Sequence, residues 1–502
     1  MIDEEDITGT GREGRASKKK SRSSARRKPI KTKTINTEFA VVSYAFAAVF
    51  VALILYLSYY LIFKSEDFIS SPYNSRVKEM DEDVIRGNIY SADKVLLATT
   101  RVLKDGTEER IYPEGRMYAH VVGYSTKGMS GLELDANFSL LRSHSSVGER
   151  LTNDLTGEKN VGDSVVTTLD SEIQAAAYKS LSTYDGAVIV MDPETGEILA
   201  MVSEPSFDPN TLTRDWEFYM EDSESGILVN RATQGQYPPG STYKIVTALA
   251  YLRSGGKTED MFHCGGSYGE SSDEEDEYII HCYNNKAHGD EDLITAFAKS
   301  CNVAFSQVAL KIPYETYLDT NKDLLFNTTP PVSFSNAKGG SFSLKENDKT
   351  DMWMQTGIGQ GETMVSPLQM LMIASAVAND GILMRPYLID HTENSDGITV
   401  DHYTKSSYGA LISKEEAATL KRYMRAVITD GTGTDLDVEN YTAYGKTGTA
   451  EYSTENKDLS HSWFVGFAER GDKKLAIAVI LEGKNGEVHA LPVAKAVFDA
   501  CF

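Results

Sequence analysis

The hydrophobic pattern sets one long apolar segment near the N-terminus apart from a much longer region of short-range alternation. The apolar segment, Phe39 to Phe63, has 25 consecutive residues without a charge. At a rise of about 1.5 Å per residue, a helix of this length crosses a hydrocarbon layer of about 30 Å. It is longer than the apolar core of a cleaved signal peptide and ends in aromatic residues that suit a membrane interface. We therefore predict an uncleaved transmembrane helix over residues 38–63; the alternative is a buried helix of a soluble core.

After the apolar segment, the pattern predicts two folded regions. Residues 64–160 combine strand-like pieces with turn signals, which predicts a small mixed stalk domain. From residue 161 onward, Ser171 is the predicted cap of a helix, and further helices fill the middle. The predicted strands are a hairpin, Gly186 to Asp192 with Glu197 to Val202, and three C-terminal segments, Gly445 to Tyr452, Ser462 to Ala468 and Leu475 to Leu481. Residues 161–502 are therefore expected to adopt an α+β fold, a sandwich with a central antiparallel five-stranded sheet flanked by helices.

The charge distribution predicts which side of the membrane each region faces. The net charge is −23, yet eleven Lys and Arg residues fall between Arg12 and Lys33, directly before the apolar segment. The positive-inside rule predicts that residues 1–37 form a basic cytoplasmic tail and that everything after Lys64 lies outside. Because the basic run adjoins a membrane span, we do not expect it to bind nucleic acid.

The four cysteines leave their pairing open. Cys264 and Cys282 flank one loop and can pair in an oxidising exterior, whereas Cys301 and Cys501 look unpaired. A small buried apolar role is expected for Cys301. The acidic run Glu270 to Glu277 lacks the alternating register of a calcium site, so we interpret it as a solvated loop. No metal and no cofactor is expected.

Six Ser-x-x-Lys tetrads occur in the chain, so the tetrad alone carries little information. Ser241 differs from the other five because it follows a Pro-Pro-Gly turn and opens an amphipathic run from Ile245 to Leu252. Residues three apart on a helix share a face, so Lys244 can reach the Ser241 hydroxyl and act as the base that a serine nucleophile needs. The alternative is that Ser241 only caps the helix and Lys244 is a surface lysine.

Two further motifs favour the catalytic interpretation. Ser300-Cys301-Asn302 is the sole Ser-x-Asn of the chain and lies between two helix-like runs. Lys446-Thr447-Gly448 is the sole Lys-Thr-Gly and lies on a predicted strand. The three motifs occur in a fixed order, each in a fitting structural setting, which is difficult to obtain by chance.

This triplet resembles the serine acyltransferases that include penicillin-binding proteins and serine β-lactamases. The resemblance to class B penicillin-binding transpeptidases extends to further segments, Arg86 to Tyr90, Gly359 to Gly361, Ser366 to Gln369, Asp430 to Thr434, Gly445 to Glu451 and Ser462 to Phe467. It covers nearly everything after Lys64.

The resemblance implies a role for each site residue. Ser241 would attack a D-alanyl-D-alanine stem peptide, Lys244 would take its proton, and Ser300, polarised by Lys446, would relay a proton to the leaving amine. The residues implied to bind substrate are Asn302, Thr447, Gly448 and Thr449.

The resemblance also implies a cellular context. It implies a peptidoglycan D,D-transpeptidase of the bacterial cell membrane that β-lactams inhibit covalently, and a partner glycosyltransferase of the SEDS kind, because the stalk is too short to make glycan. Three alternatives remain open: a D,D-carboxypeptidase, a β-lactamase, and a non-catalytic β-lactam receptor or scaffold. The stalk, the anchor and the length argue against a β-lactamase.

Overall fold

The computed structural model describes residues 37–63, 83–181, 183–222, 225–269, 279–451, 460–483 and 488–502. Residues 1–36 of the basic tail and the whole acidic run lie outside these residues. The chain forms two compact units, Met1–Asp67 and Phe68–Phe502.

The first unit contains one described element, the helix α1 (Thr37–Phe63). Its central span, Phe39–Tyr60, has a mean hydropathy of 2.4, and none of it is buried. Within the described residues this is the one helix that is long and apolar enough to cross a membrane.

The second unit is a mixed α and β structure. Its strands are β1 (Val84–Ile85), β2 (Ile89–Tyr90), β3 (Leu96–Val102), β4 (Glu108–Ile111), β5 (Asn160–Val161), β6 (Ser164–Thr167), β7 (Gly186–Met191), β8 (Ile198–Glu204), β9 (Met261–Cys264), β10 (Ser267–Tyr268), β11 (Ile280–His281), β12 (Gly289–Asp292), β13 (Ile382–Met384), β14 (Ile389–Glu393), β15 (Thr399–His402), β16 (Ser407–Ala410), β17 (Thr442–Glu451), β18 (Ser460–Arg470) and β19 (Lys473–Leu481). Its helices are α2 (Ala119–Val122), α3 (Gly131–Asp135), α4 (Asn137–Leu141), α5 (Val147–Thr156), α6 (Ser171–Leu181), α7 (Leu212–Glu221), α8 (Arg231–Gln234), α9 (Lys244–Arg253), α10 (Leu293–Ala298), α11 (Asn302–Ala309), α12 (Tyr314–Asp323), α13 (Thr350–Gly357), α14 (Pro367–Ala378), α15 (Lys414–Asp430) and α16 (Ala490–Cys501).

The central sheet has five strands in the order β17, β18, β19, β7 and β8, and every neighbouring pair is antiparallel. The predicted five-stranded antiparallel sheet, built from distant parts of the chain, is confirmed. Helix α14 packs on β19, β18 and β7, while α6 and α16 pack on each other and on the same sheet. Every residue of β7 is buried, as expected for a strand covered on both faces. Strand β17 is an edge strand, so one side of it is available to the site.

Local sequence signals explain where the flanking helices begin. Ser366 caps α14 by accepting a hydrogen bond from the Gln369 N–H at 3.1 Å, and Pro367 is the first helical residue. The predicted cap of α6 is wrong by one residue. The Asp170 carboxylate accepts from the N–H groups of Glu172 and Ile173, both at 3.0 Å, while the Ser171 hydroxyl donates to Asp93 instead.

A second, six-stranded sheet has the order β15, β14, β6, β2, β3 and β4. Strand β6 pairs in parallel with β2 and antiparallel with β14. This sheet therefore joins strands from before and after residue 160, the predicted end of the stalk.

A buried ion network explains the arginine of the Arg86 to Tyr90 segment. The Glu133 carboxylate is fully buried between Arg86 Nε at 2.6 Å and Arg110 Nε at 2.7 Å. Arg86 also donates to Asn137 Oδ1 at 2.5 Å. Burial by itself raises the pKa of Glu133, but the two guanidiniums outweigh burial and hold this pKa below its usual value.

Replacing Glu133 by Ala leaves two buried guanidiniums without their counterion, so we expect a loss of about 3–5 kcal/mol in the free energy of unfolding. Urea denaturation followed by circular dichroism measures it. Because the folded-state pKa of Glu133 is lowered, its stabilising contribution is full above the unfolded-state pKa and disappears as the pH falls through the folded-state pKa. The control is Arg101→Ala, which breaks the exposed Arg101–Glu109 pair and should change little. Equal stability of the two variants would contradict the prediction.

Candidate active site

Ser241 lies in a short 3-10 turn, Gly240–Tyr243, that leads directly into α9. Two close backbone approaches fix this turn. Gly240 has φ +51°, and a Cβ on it would lie 2.4 Å from the Thr449 carbonyl oxygen of β17. Gly359 has φ +76° and accepts a hydrogen bond from the Gly240 N–H at 2.8 Å. Glycine is needed at both positions. The turn is therefore held between strand β17 and the segment that contains Gly359.

The Ser-x-Asn motif connects α10 to α11. Ser300 adopts φ +58°, which is uncommon for a residue with a side chain. Cys301 is fully buried and caps α11 by accepting from the Ala304 N–H at 3.4 Å. Asn302 donates through Nδ2 to the His281 carbonyl at 2.9 Å.

Two buried lysine amines converge on the Ser300 hydroxyl. Lys446 Nζ lies 2.9 Å from Ser300 Oγ and 3.0 Å from the Thr447 carbonyl. Lys244 Nζ lies 3.3 Å from the same Oγ, and it donates to the Ser300 carbonyl at 2.8 Å and to Asn302 Oδ1 at 2.7 Å. Both lysines are fully buried. The three sequence motifs thus meet around one hydroxyl group.

Strand β17 supplies the wall of a cleft of about 410 Å³. Thr447, Gly448 and Thr449 line it, together with Thr432, Trp463 and the start of α16. Thr447 Oγ1 is hydrogen-bonded to Thr432 Oγ1 at 2.5 Å, which adds the earlier Asp430 to Thr434 segment to the site. A Cβ on Gly448 would lie 2.9 Å from Thr242 Cγ2, so this glycine admits the turn that carries Ser241.

Comparison with known proteins identifies the family. The family model described as the penicillin binding protein transpeptidase domain matches residues 186–502, and the one described as the penicillin binding protein A dimerisation domain matches residues 86–165. The chain belongs to the penicillin-binding protein transpeptidase family. The predicted family and fold class are confirmed.

Relatives and solved structures agree with this assignment. Peptidoglycan D,D-transpeptidase PbpA of Mycolicibacterium smegmatis is 30% identical over 497 residues, covering 93% of this chain and 99% of the relative. The imipenem acyl-enzyme complex of penicillin-binding protein A from M. tuberculosis superimposes with a TM-score of 0.76 at 27% identity, covering 84% of this chain and 99% of that one. The D,D-transpeptidase domain of a peptidoglycan glycosyltransferase from Eggerthella lenta gives 0.73 at 28% identity, covering 84% and 98%. The predicted activity of a serine D,D-transpeptidase is confirmed at the level of the family.

In this penicillin-binding transpeptidase, the predicted residues Lys244, Ser300, Asn302 and Lys446 form one hydrogen-bonded cluster. One contact differs from the prediction. Within the described part of the chain, Lys244 Nζ has no hydrogen bond to Ser241 Oγ; its partners belong to the Ser-x-Asn motif. Sequence reasoning singled out the segments that contain Thr432 and Gly359 but gave neither residue a role in the site, because their contacts join segments more than ten residues apart.

The electrostatics of the lysine pair follow from its burial. Burial lowers the pKa of Lys244 to about 8, although nearby thiols and the Glu291 carboxylate act in the opposite direction. Burial also lowers the pKa of Lys446 well below its usual value, and the neighbouring Lys244 lowers it further. No carboxylate hydrogen-bonds either amine among the described residues. Two ammonium groups beside one hydroxyl repel each other, so the pair favours one neutral amine near neutral pH.

The assignment of Lys244 as the base predicts how acylation depends on pH and on the two lysines. The second-order acylation rate of full-length protein with a fluorescent β-lactam should rise with pH as Lys244 loses its proton, through about pH 8. Lys244→Arg should lower the rate by about 10²–10⁴-fold, because a guanidinium cannot accept the serine proton. Lys446→Arg should retain more activity than Lys446→Ala, because it keeps a hydrogen-bond donor for Ser300 Oγ. Near-normal rates for Lys244→Arg would show that another group takes the proton.

Proposed function

We propose that this transpeptidase cross-links peptidoglycan stem peptides with Ser241 as the nucleophile. The observation that carries the assignment is the convergence of two buried lysine amines on Ser300 Oγ, one of them from Lys244, which directly follows the turn that contains Ser241. Among the four Ser-x-x-Lys tetrads that the structure describes, the one at Ser241 has its lysine in this cluster, since Lys244 Nζ contacts the Ser-x-Asn motif.

The first half-reaction forms an ester and releases D-alanine. Ser241 Oγ attacks the carbonyl carbon of the penultimate D-alanine, and its proton passes to the neutral amine of Lys244. The tetrahedral intermediate collapses when the C–N bond breaks. Ser300, held by Lys446, relays a proton to the leaving nitrogen, so D-alanine leaves with an uncharged amino group.

Backbone groups stabilise the intermediate. The N–H groups of Ser241 and Thr449 form the proposed oxyanion hole, and each such donor typically contributes about 10²–10³ in rate. The close approach of Gly240 to the Thr449 carbonyl supports this pairing, since it brings the nucleophile turn and β17 together.

The second half-reaction uses an amine from another stem peptide. The amine attacks the ester carbonyl, the C–O bond to Ser241 breaks, and the hydroxyl recovers its proton. Asn302 holds the substrate amide, while Thr447 and Thr449 bind the terminal carboxylate beside Lys446. The extended peptide adds along the free edge of β17 at Gly448. The position of Thr447, Gly448 and Thr449 on the edge strand, where they line the cleft, supports the proposal.

The apolar helix and the charge asymmetry support the proposed topology. We assign residues 1–37 to the cytoplasm, 38–63 to a membrane anchor, 64–160 to a stalk and 161–502 to the catalytic domain outside. The basic run lies directly before an uncharged span of 25 residues, and the positive-inside rule therefore supports this orientation. The stalk is too short to polymerise glycan, so the proposed partner is a SEDS-type glycosyltransferase in the same membrane.

A β-lactam should acylate the protein once and stably at Ser241. The drug mimics the stem-peptide carbonyl, and its bulk blocks the acceptor amine. Intact-mass analysis of penicillin-treated full-length protein, followed by peptide mapping, locates the adduct. Ser241→Ala should abolish labelling, whereas Ser254→Ala, which removes another Ser-x-x-Lys serine, should not. An adduct on any other residue would overturn the nucleophile assignment, and rapid release of the adduct would favour a β-lactamase.

The topology predicts a defined proteolysis pattern. A protease added to intact protoplasts should remove the mass after Lys64 and spare an epitope placed in the basic tail. Detergent-permeabilised protoplasts serve as the control, in which both parts should be degraded. Protection of the catalytic domain in intact protoplasts would contradict the anchor.

A further inference from the structure

Three cysteines and one histidine converge beside the Ser-x-Asn motif. Cys264 Sγ lies 3.6 Å from Cys282 Sγ, and Cys282 Sγ lies 3.7 Å from Cys301 Sγ. His288 Nδ1 lies 3.4 Å from Cys264 Sγ. The four ligand atoms all fall within 4.8 Å of one another. The three cysteines are buried, and the histidine side chain is 9% exposed. The mechanism proposed above uses none of these side chains.

The separations fit metal coordination better than a disulfide. A disulfide needs sulfurs about 2.05 Å apart, and all four cysteines of the chain are free thiols in the structure. Pairing two of the three clustered cysteines would also leave one thiol over. In a tetrahedral zinc site with Zn–S of about 2.3 Å and Zn–N of about 2.05 Å, neighbouring sulfurs lie about 3.8 Å apart and a sulfur–nitrogen pair about 3.5 Å apart. The observed distances are close to these values.

The four side chains come from separate segments. Cys264 ends β9, Cys282 follows β11, His288 precedes β12, and Cys301 caps α11. Strands β9 to β12 form two small two-stranded sheets, and in the chain they lie between helix α9 and the Ser-x-Asn motif. An isolated two-stranded sheet is only marginally stable, so a cross-link among these segments stabilises them.

We propose that these four side chains bind one Zn²⁺ ion. Three thiolates and one neutral imidazole complete a Cys₃His set, which is typical of closed structural zinc sites. Soft sulfur ligands disfavour magnesium and calcium, which take oxygen ligands. Binding releases three thiol protons to solvent, and no electron is transferred. The N–H of Ala304 that donates to Cys301 Sγ is suited to a thiolate acceptor.

The metal acts as a positioning device for catalysis. Cys301 is the middle residue of the motif, with Ser300 on one side and Asn302 on the other. Tying Cys301 to β9 and to the segment after β11 holds the positive φ of Ser300 and aims its hydroxyl between the two lysines. This effect on acylation rests on the proposed function, whereas zinc binding itself does not.

Zinc content tests the site directly. Full-length protein is purified in detergent through an affinity tag that contains no histidine, and zinc is measured by inductively coupled plasma mass spectrometry. We expect about one zinc per chain in the wild type and in Cys501→Ser, which removes the cysteine outside the cluster, and loss of zinc in Cys264→Ser. Wild-type protein that stays zinc-free after incubation with ZnCl₂ and a reductant would overturn the proposal.

Cobalt substitution keeps the test independent of whether Cys264→Ser folds. Wild-type protein loaded with Co²⁺ should show thiolate-to-cobalt charge-transfer absorption and the visible bands of tetrahedral Co²⁺. A spectrum without these bands would contradict the ligand set. An intact mass lower by two hydrogens in freshly purified protein, with no zinc bound, would show a disulfide in place of the metal site.

Acylation and thermal stability test the positioning role. Treatment of the wild type with a chelator should lower Tm and slow acylation at Ser241, and Zn²⁺ but not Mg²⁺ should restore both. Unchanged acylation after complete zinc removal would overturn the positioning role. A protein that holds zinc yet is never acylated at Ser241 would contradict the proposed function and leave the metal site standing, so the two failures are distinguishable.

Discussion

The structure of the site depends on excluding water from two lysine amines that surround one hydroxyl group. Lys244 and Lys446 are both fully buried, and both contact Ser300 Oγ. Burial without a contacting carboxylate disfavours charge on each amine, and the two amines oppose each other further. A neutral amine beside a serine turn is what nucleophilic catalysis needs. The arrangement persists only where surrounding elements exclude water and leave the amines no alternative position.

The surrounding elements meet this requirement through close backbone contacts. The nucleophile turn is confined by the Gly240 approach to β17 and by the hydrogen bond to Gly359. Gly448 lets the same turn pack against the strand, and Trp463 Nε1 donates to the Pro238 carbonyl just before the turn at 3.1 Å. These contacts are short and involve backbone atoms, so a small displacement in any one of them shifts the Ser241 hydroxyl.

The cysteine cluster gives the Ser-x-Asn motif a different kind of support. Segments β9 to β12 are short, and their two-stranded sheets bury few large apolar side chains. Cys301 connects this region to the catalytic motif, because the residue that caps α11 also contacts the Cys282 thiol. Here the proposed ligand set adds to the packing of Phe262 and Ile280, which belong to the same hydrophobic core as the central sheet.

The sequence by itself determined the membrane-length helix, the five strands and the three motifs, because these depend on periodicity and on residues near each other in the chain. The hairpin β7–β8 and the C-terminal strands lie close to the segments predicted for them, and Ser366 caps its helix as expected. Even locally there was an error, since Asp170 and not Ser171 caps α6. Only the tertiary structure decided that Lys244 contacts the Ser-x-Asn motif, that Thr432 joins Thr447, and that Cys301 lies beside Cys282. The last pair was not predicted, because Cys301 looked unpaired and no metal was expected. Such contacts join residues far apart in the chain, and their geometry exists only once the sheet and helices have packed.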